Sequence, residues 1–285
     1  MITEKSGLDE TESTELKEYI ANHFSGAKVP EGGDVDFLRG WRGLASLAED
    51  IGAAEVINQK LCPKLPVSFN APEGVRLEIF ASFAGGIPII YADDPRDFES
   101  LVTNIVYKGT RPANIEKTGA SFVSGRTARF IILSAKPYSN VPAEELGLST
   151  EAWAEKSMLI RRSHECTHFY TKQTYGISNN ILHDELMADF IGIYETFGFY
   201  KAEWFLRFMG IIEGSGSRFL VYTNGLPEKV RKAVSELAVQ SAENLEKWSN
   251  TDSFKAMSTA ERIKRMCISG LDTENLLIDS QLNKL

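Results

Sequence analysis

The spacing of apolar residues changes once along this chain, and that change limits the folds open to it. Between residues 67 and 133 the apolar residues fall in short clusters separated by glycine and proline: RLEIFASF, GIPIIYA, LVTNIVY, GASFV and TARFIILSA. Short apolar runs bounded by turn residues favour strands, although SLVTNIVYKG fits helical spacing as well. Ser124-Gly125, between the last two clusters, suits a hairpin turn. From residue 150 onward the spacing is helical almost throughout.

The helical stretches carry their own start and stop signals. Ser149 or Thr150 can cap a helix reading TEAWAEKSMLIRRSHECTHFYTKQTY, which ends near Gly176, a residue suited to a left-handed stop. A second helix begins around residues 180–184 and runs DELMADFIGIYETF. Pro227 sits in the first turn of PEKVRKAVSELAVQSAENLEKW, where Val230, Val234, Leu237, Leu245 and Trp248 share a face. Ser258 and Glu261 form a capping box opening STAERIKRMCIS. Toward the N-terminus, residues 12–24 read as a short helix, followed by a turn at Pro30, Gly32 and Gly33. Helical spacing then returns over residues 35–61.

Composition removes several classes of function. Lys and Arg number 31 against 39 Asp and Glu, a formal charge of −8, which opposes broad phosphate binding and makes nucleic acid an unexpected partner. Cys62, Cys166 and Cys267 are widely spaced and form no CxxC, and a disulfide framework would normally show more of them at closer spacing. The start, MITEKSGLDETESTELKEY, is polar and acidic, unlike a signal peptide. The longest apolar run, residues 82–92, is far short of the roughly 18–20 residues that span a bilayer. The expectation is a soluble cytoplasmic protein without a membrane partner.

Residues 164–168 read His-Glu-Cys-Thr-His, an HExxH sequence inside the helix expected at 150–175. Residues four apart stand one above the other on a helix, so both imidazoles can point at one ion from about 2.0–2.1 Å. Glu165 then projects beside the ion, where it can take a proton from metal-bound water. Two histidines leave a tetrahedral site incomplete. Glu185, at the start of the next helix, can supply the third ligand after an antiparallel return, with His183 and Asp184 as adjacent competitors. Asp189, one turn beyond Glu185, falls where it can accept a hydrogen bond from the outer nitrogen of a ligand histidine. The plain alternative is a solvated polar helix face. Met158, Leu159, Ile160, Phe169 and Tyr170 argue against it, because they bury this helix, and buried His and Glu need partners.

HECTH followed by an E-x-x-A-D helix resembles the gluzincin branch of the zincin metallopeptidases, the group that includes thermolysin-like and minigluzincin proteases. The resemblance covers residues 164 to about 200. It implies zinc held by His164, His168 and Glu185, catalysis by Glu165, support from Asp189, and a cleft between a sheet-bearing lobe and a helical lobe. The E-x-x-A-D form is shared with membrane-embedded gluzincins, whose transmembrane helices this chain lacks. The longer metzincin pattern is absent. The expected fold is therefore α+β and zincin-like, with a small mixed sheet from residues 67–134 in an N-terminal lobe (1–149). An active-site helix and a helical C-terminal lobe (150–285) complete one compact catalytic unit.

The expected activity is hydrolysis of a peptide bond in a peptide or protein substrate by zinc-activated water, with Glu165 as general base. One rival keeps the metal in a regulatory or inactive zincin; another has the HECTH helix bind structural zinc in an interaction module. The retained Glu165 speaks against the second, since a structural site needs no base. Tyr175 and His183 flank the turn expected near the metal, and each is a candidate oxyanion donor. Cys166 points off the ligand face and reads as a packed residue, with a switch as the lesser alternative. Arg161 and Arg162 read as structural or solvated rather than substrate-binding, and His23 as a surface residue. The aromatics from Phe190 to Phe208 read as core. An extended peptide would lie on a sheet edge, with residues 119–123 favoured because Gly119, Ala120 and Ser121 let another backbone approach.

Overall fold

A computed structural model describes residues 7–27, 37–125, 129–177, 181–271 and 273–277. The turn at Pro30, Gly32 and Gly33, the first two residues of the 35–61 helix, Thr127 of the last strand and residue 180 lie outside the described residues. The chain is α+β, with two compact units, Glu31–Phe169 and Met1–Pro30 with Tyr170–Leu285. This division does not follow the 149/150 boundary read from the sequence.

The first unit holds a four-stranded mixed sheet. Strands β1 (Val75–Ser82) and β2 (Gly85–Ala92) form a hairpin, paired from Val75↔Ala92 to Ser82↔Gly85. Gly85 takes φ +100° at the turn, where the Ser82 hydroxyl donates to its carbonyl over 2.7 Å. Strand β3 (Ala120–Ser124) pairs antiparallel with β4 (Arg129–Ser134), and β4 runs parallel to β2, giving the order β1-β2-β4-β3. The two central strands are buried on both faces, as their continuous apolar runs require. Alternation divides their side chains. Ile90, Ala92, Phe130 and Ile132 join a core with Trp41, Ile57, Phe98, Leu101 and Val102. Ile87, Ile89, Tyr91, Ile131 and Leu133 join another with Met158, Cys166 and Phe169.

The helices of this unit correct two expectations. The 35–61 helix is interrupted: α1 (Leu38–Ile51) stops at Gly52, which takes φ +87°, and α2 (Ala53–Val56) runs into a π-turn at Ile57–Leu61. LVTNIVY is not a strand. Asp94 caps α3 (Pro95–Leu101), with Pro95 in its first turn, and a π-turn over Val102–Val106 continues it. Phe98, Leu101, Val102 and Ile105 recur every three or four residues and face one core, so helical spacing prevails.

Helix α4 (Thr150–Tyr175) is 26 residues long. The Ser149 hydroxyl accepts from the Ala152 amide over 3.2 Å, and Gly176 ends the helix at φ +72°. Residues from Tyr170 onward belong to the second unit, with α5 (Leu182–Phe197), α6 (Ala202–Met209), α7 (Arg218–Tyr222), α8 (Glu228–Ser249), α9 (Asp252–Lys255) and α10 (Thr259–Ser269). The Ser258–Glu261 capping box is formed. Phe190 packs on Tyr194, Tyr200, Trp248 and Phe254, so much of the aromatic series fills a core, but Phe199 is exposed.

The N-terminal helix, Glu10–Tyr19, is αN of this unit and shorter than its expected span of 12–24. Asp9 and Glu12 box its start. Beyond it, the Asn22 side chain donates to the carbonyls of Cys267 (2.8 Å) and Ile268 (3.0 Å), and Tyr19 donates to the Tyr222 carbonyl (3.2 Å). With Leu16 fully buried, these bonds explain why the first residues join the helical unit. No described helix is long and apolar enough to cross a membrane.

Candidate metal centre

His164 and His168 stand one turn apart on α4, both buried. Their Nε2 atoms are 3.1 Å apart, with rings edge-on at a 4.8 Å centroid distance. Two nitrogens bound to one tetrahedral ion at about 2.05 Å would be ~3.3 Å apart, so the pair already has the spacing of a shared ligand edge. Glu185 lies in the first turn of α5, almost fully buried. The ligand atoms of His164, His168 and Glu185 all lie within 4.8 Å of one another. Among the described residues, this is the group of His, Cys, Asp or Glu side chains that can hold a metal ion. Of the three consecutive candidates at 183–185, the glutamate reaches the histidines. Glu165 follows His164 on the same helix and is half-buried.

The surroundings of these ligands were not legible in the sequence. The Tyr138 hydroxyl lies 2.9 Å from His164 Nδ1, the nitrogen facing away from His168. Glu185 Oε2 accepts from Arg218 and, over 2.8 Å, from the Tyr222 hydroxyl. Arg218 Nη1 also donates to both oxygens of Asp189, at 3.1 and 2.9 Å. Asp189 is fully buried, and Tyr138 stands at the outer nitrogen of His164. Residues 185 and 189 share a helix face, so one guanidinium spans both. Burial raises the Tyr222 hydroxyl well above the ordinary tyrosine range, so it stays protonated and donates.

The two candidate oxyanion donors share an aromatic neighbour. Tyr175 and His183 both meet the ring of Phe24 edge-on, at 5.4 and 5.5 Å. His183 Nε2 donates to the Met266 carbonyl over 3.1 Å, and burial pushes its pKa down to about 4, so the neutral ring spends its donor on backbone. The sequence could not reveal this, because Phe24 arrives from the far end of the chain.

The remaining residues have structural surroundings. Cys166 is fully buried, and burial pushes its thiol up to about 12. Arg161 is buried and donates to the carbonyls of Ser134, Lys136 and Pro137. Arg162 lies 4.2 Å above the Phe80 ring, and His23 is exposed. Strand β3 is an edge of the sheet, pairing on one side with β4. Gly119, however, leaves space for Arg161, since a Cβ there would lie 2.3 Å from its Nε.

The profile of a family of unknown function, DUF7005, matches residues 63–129 and 126–278. No curated protein and no solved structure matches the chain.

Proposed function

The chain belongs to the DUF7005 family, and on that premise we propose that it is a zinc-dependent metallopeptidase of zincin type. The observation carrying this reading is the convergence of His164, His168 and Glu185 within 4.8 Å, from an HExxH helix and the helix that follows it. Two imidazoles and one carboxylate are the donor set of catalytic zinc sites, which leave one position for water. Zinc bound there would lower the pKa of that water and polarise a carbonyl. Glu165, one residue after the first ligand, is the base that would take a proton from water at that site and pass it to the leaving amine. Arg218 and Tyr222 both donate to the Oε2 atom of Glu185 and so help to fix its carboxylate.

A peptide substrate fits the edge strand β3, whose outer backbone groups can pair with an extended chain. The α+β architecture, with its sheet before the HExxH helix, is compatible with the zincin arrangement. A charge of −8 disfavours nucleic acid, and three free buried cysteines suit the reducing cytoplasm.

Elemental analysis of protein purified without added metal should return near-stoichiometric zinc. A quenched peptide mixture should be hydrolysed, and Glu165→Gln should lower the rate by about 10²-fold or more while retaining zinc. Full metal occupancy without turnover would favour a regulatory or structural zinc protein. Absence of bound metal would overturn the assignment altogether.

A further inference from the structure

We infer that Tyr138 is a positioning residue of the metal centre: its phenol oxygen holds the Nδ1 proton of His164 and so aims the Nε2 lone pair inward. The inference rests on the zinc reading above and adds to it a residue that neither the HExxH motif nor the downstream glutamate indicates. A neutral imidazole carries one proton, and only the tautomer protonated at Nδ1 offers Nε2 to an ion. His164 Nε2 is the nitrogen beside His168, and Tyr138 lies 2.9 Å from the other. With the phenol oxygen accepting at Nδ1, the ligand tautomer is selected and the ring angle fixed.

The segment carrying Tyr138 is built to deliver that hydroxyl. Pro137 precedes it, and Ser139 and Asn140 follow with φ of +53° and +58°, two successive side-chain-bearing residues in the left-handed region. Such a turn persists only where its surroundings hold it. Here the holding groups come from α4, the helix that bears both histidines. The Tyr138 amide donates to the Ser157 hydroxyl over 2.9 Å. Arg161 donates to the carbonyls of Ser134, Lys136 and Pro137, and its guanidinium lies 5.5 Å over the Tyr138 ring. Ser157, Arg161 and His164 thus lie on consecutive turns of one helix, two of them seating the tyrosine that the third uses. Ser157, Arg161 and Tyr138 are all buried.

The test compares wild type, Tyr138→Phe and Ser157→Ala. Metal-free protein is titrated with zinc against a chromophoric chelator, and separately with cobalt(II) while its visible absorption is recorded. Tyr138→Phe keeps the ring and its contact with Arg161 but removes the oxygen. It should weaken zinc binding by about 10–100-fold and shift the cobalt bands, with circular dichroism of the metal-free protein unchanged. Ser157→Ala, which loosens the seat, should weaken zinc in the same direction by a smaller factor, and it carries the test should Tyr138→Phe not fold. A merely structural tyrosine would lower thermal stability without moving the cobalt spectrum. Wild-type zinc affinity and cobalt spectra in the folded variants would overturn this inference alone. A wild-type chain that binds neither metal would overturn the zinc reading and the inference with it.

Discussion

Arg161 illustrates how a residue beside the HExxH motif can be occupied with backbone. Its fork satisfies three carbonyls between β4 and Tyr138, and the missing side chain of Gly119 makes room for the guanidinium. An added methyl would meet Arg161 Nε at 2.3 Å, and a buried guanidinium with three acceptors cannot withdraw cheaply. Gly119→Ala should therefore destabilise the protein by about 1–3 kcal/mol, measured as a lower urea midpoint with an unchanged denaturant slope. An unchanged midpoint would mean that Arg161 has another place to go.

Helices α5 and α7 are joined through one cation. Arg218 faces Glu185 and Asp189, one turn apart on α5, and both carboxylates are almost completely buried. Two buried negative charges on one helix face would repel each other without that cation. Arg218→Met should cost the metal-free protein about 3 kcal/mol, because removing one member of a buried ion pair is strongly destabilising. Added zinc should restore part of that loss, since a dication on Glu185 replaces some of the missing charge. Chemical denaturation of the variant with and without zinc checks both statements, and equal stability with wild type in the metal-free state would contradict the first. Length matters at this scale as well. α7 has five residues and no side-chain cap, so its contacts through Arg218 and Tyr222 orient it rather than its intrinsic helicity.

For the molecule as a whole, the proposed metal would also be a source of stability. A ligand that binds the folded chain and not the unfolded one stabilises it by about 2.7 kcal/mol at a concentration 100 times its Kd. Stripping zinc with a chelator should lower the melting temperature, and stoichiometric zinc should restore it. Magnesium should not, because it prefers oxygen ligands to imidazole. A melting temperature indifferent to chelator and to zinc would argue that no resident ion holds these helices.

The sequence determined what depends on neighbours within a few residues. The HExxH spacing puts His164 and His168 on one helix face because residues four apart are stacked there. The Ser258–Glu261 box and the Gly176 stop were legible for the same reason. Where local signals competed, as in LVTNIVY, the Asp94 cap and burial of the helical face in the core with Trp41 favoured the helix. The tertiary structure alone decided which of residues 183–185 meets the histidines, and it alone brought in Tyr138 and Arg218. Those partners lie 26 residues from His164 and 33 from Glu185, while Asn22 reaches Cys267 across 245. Contacts at such separations leave no periodicity in the chain: they form because buried donors, acceptors and charges must be satisfied by whatever the fold brings near.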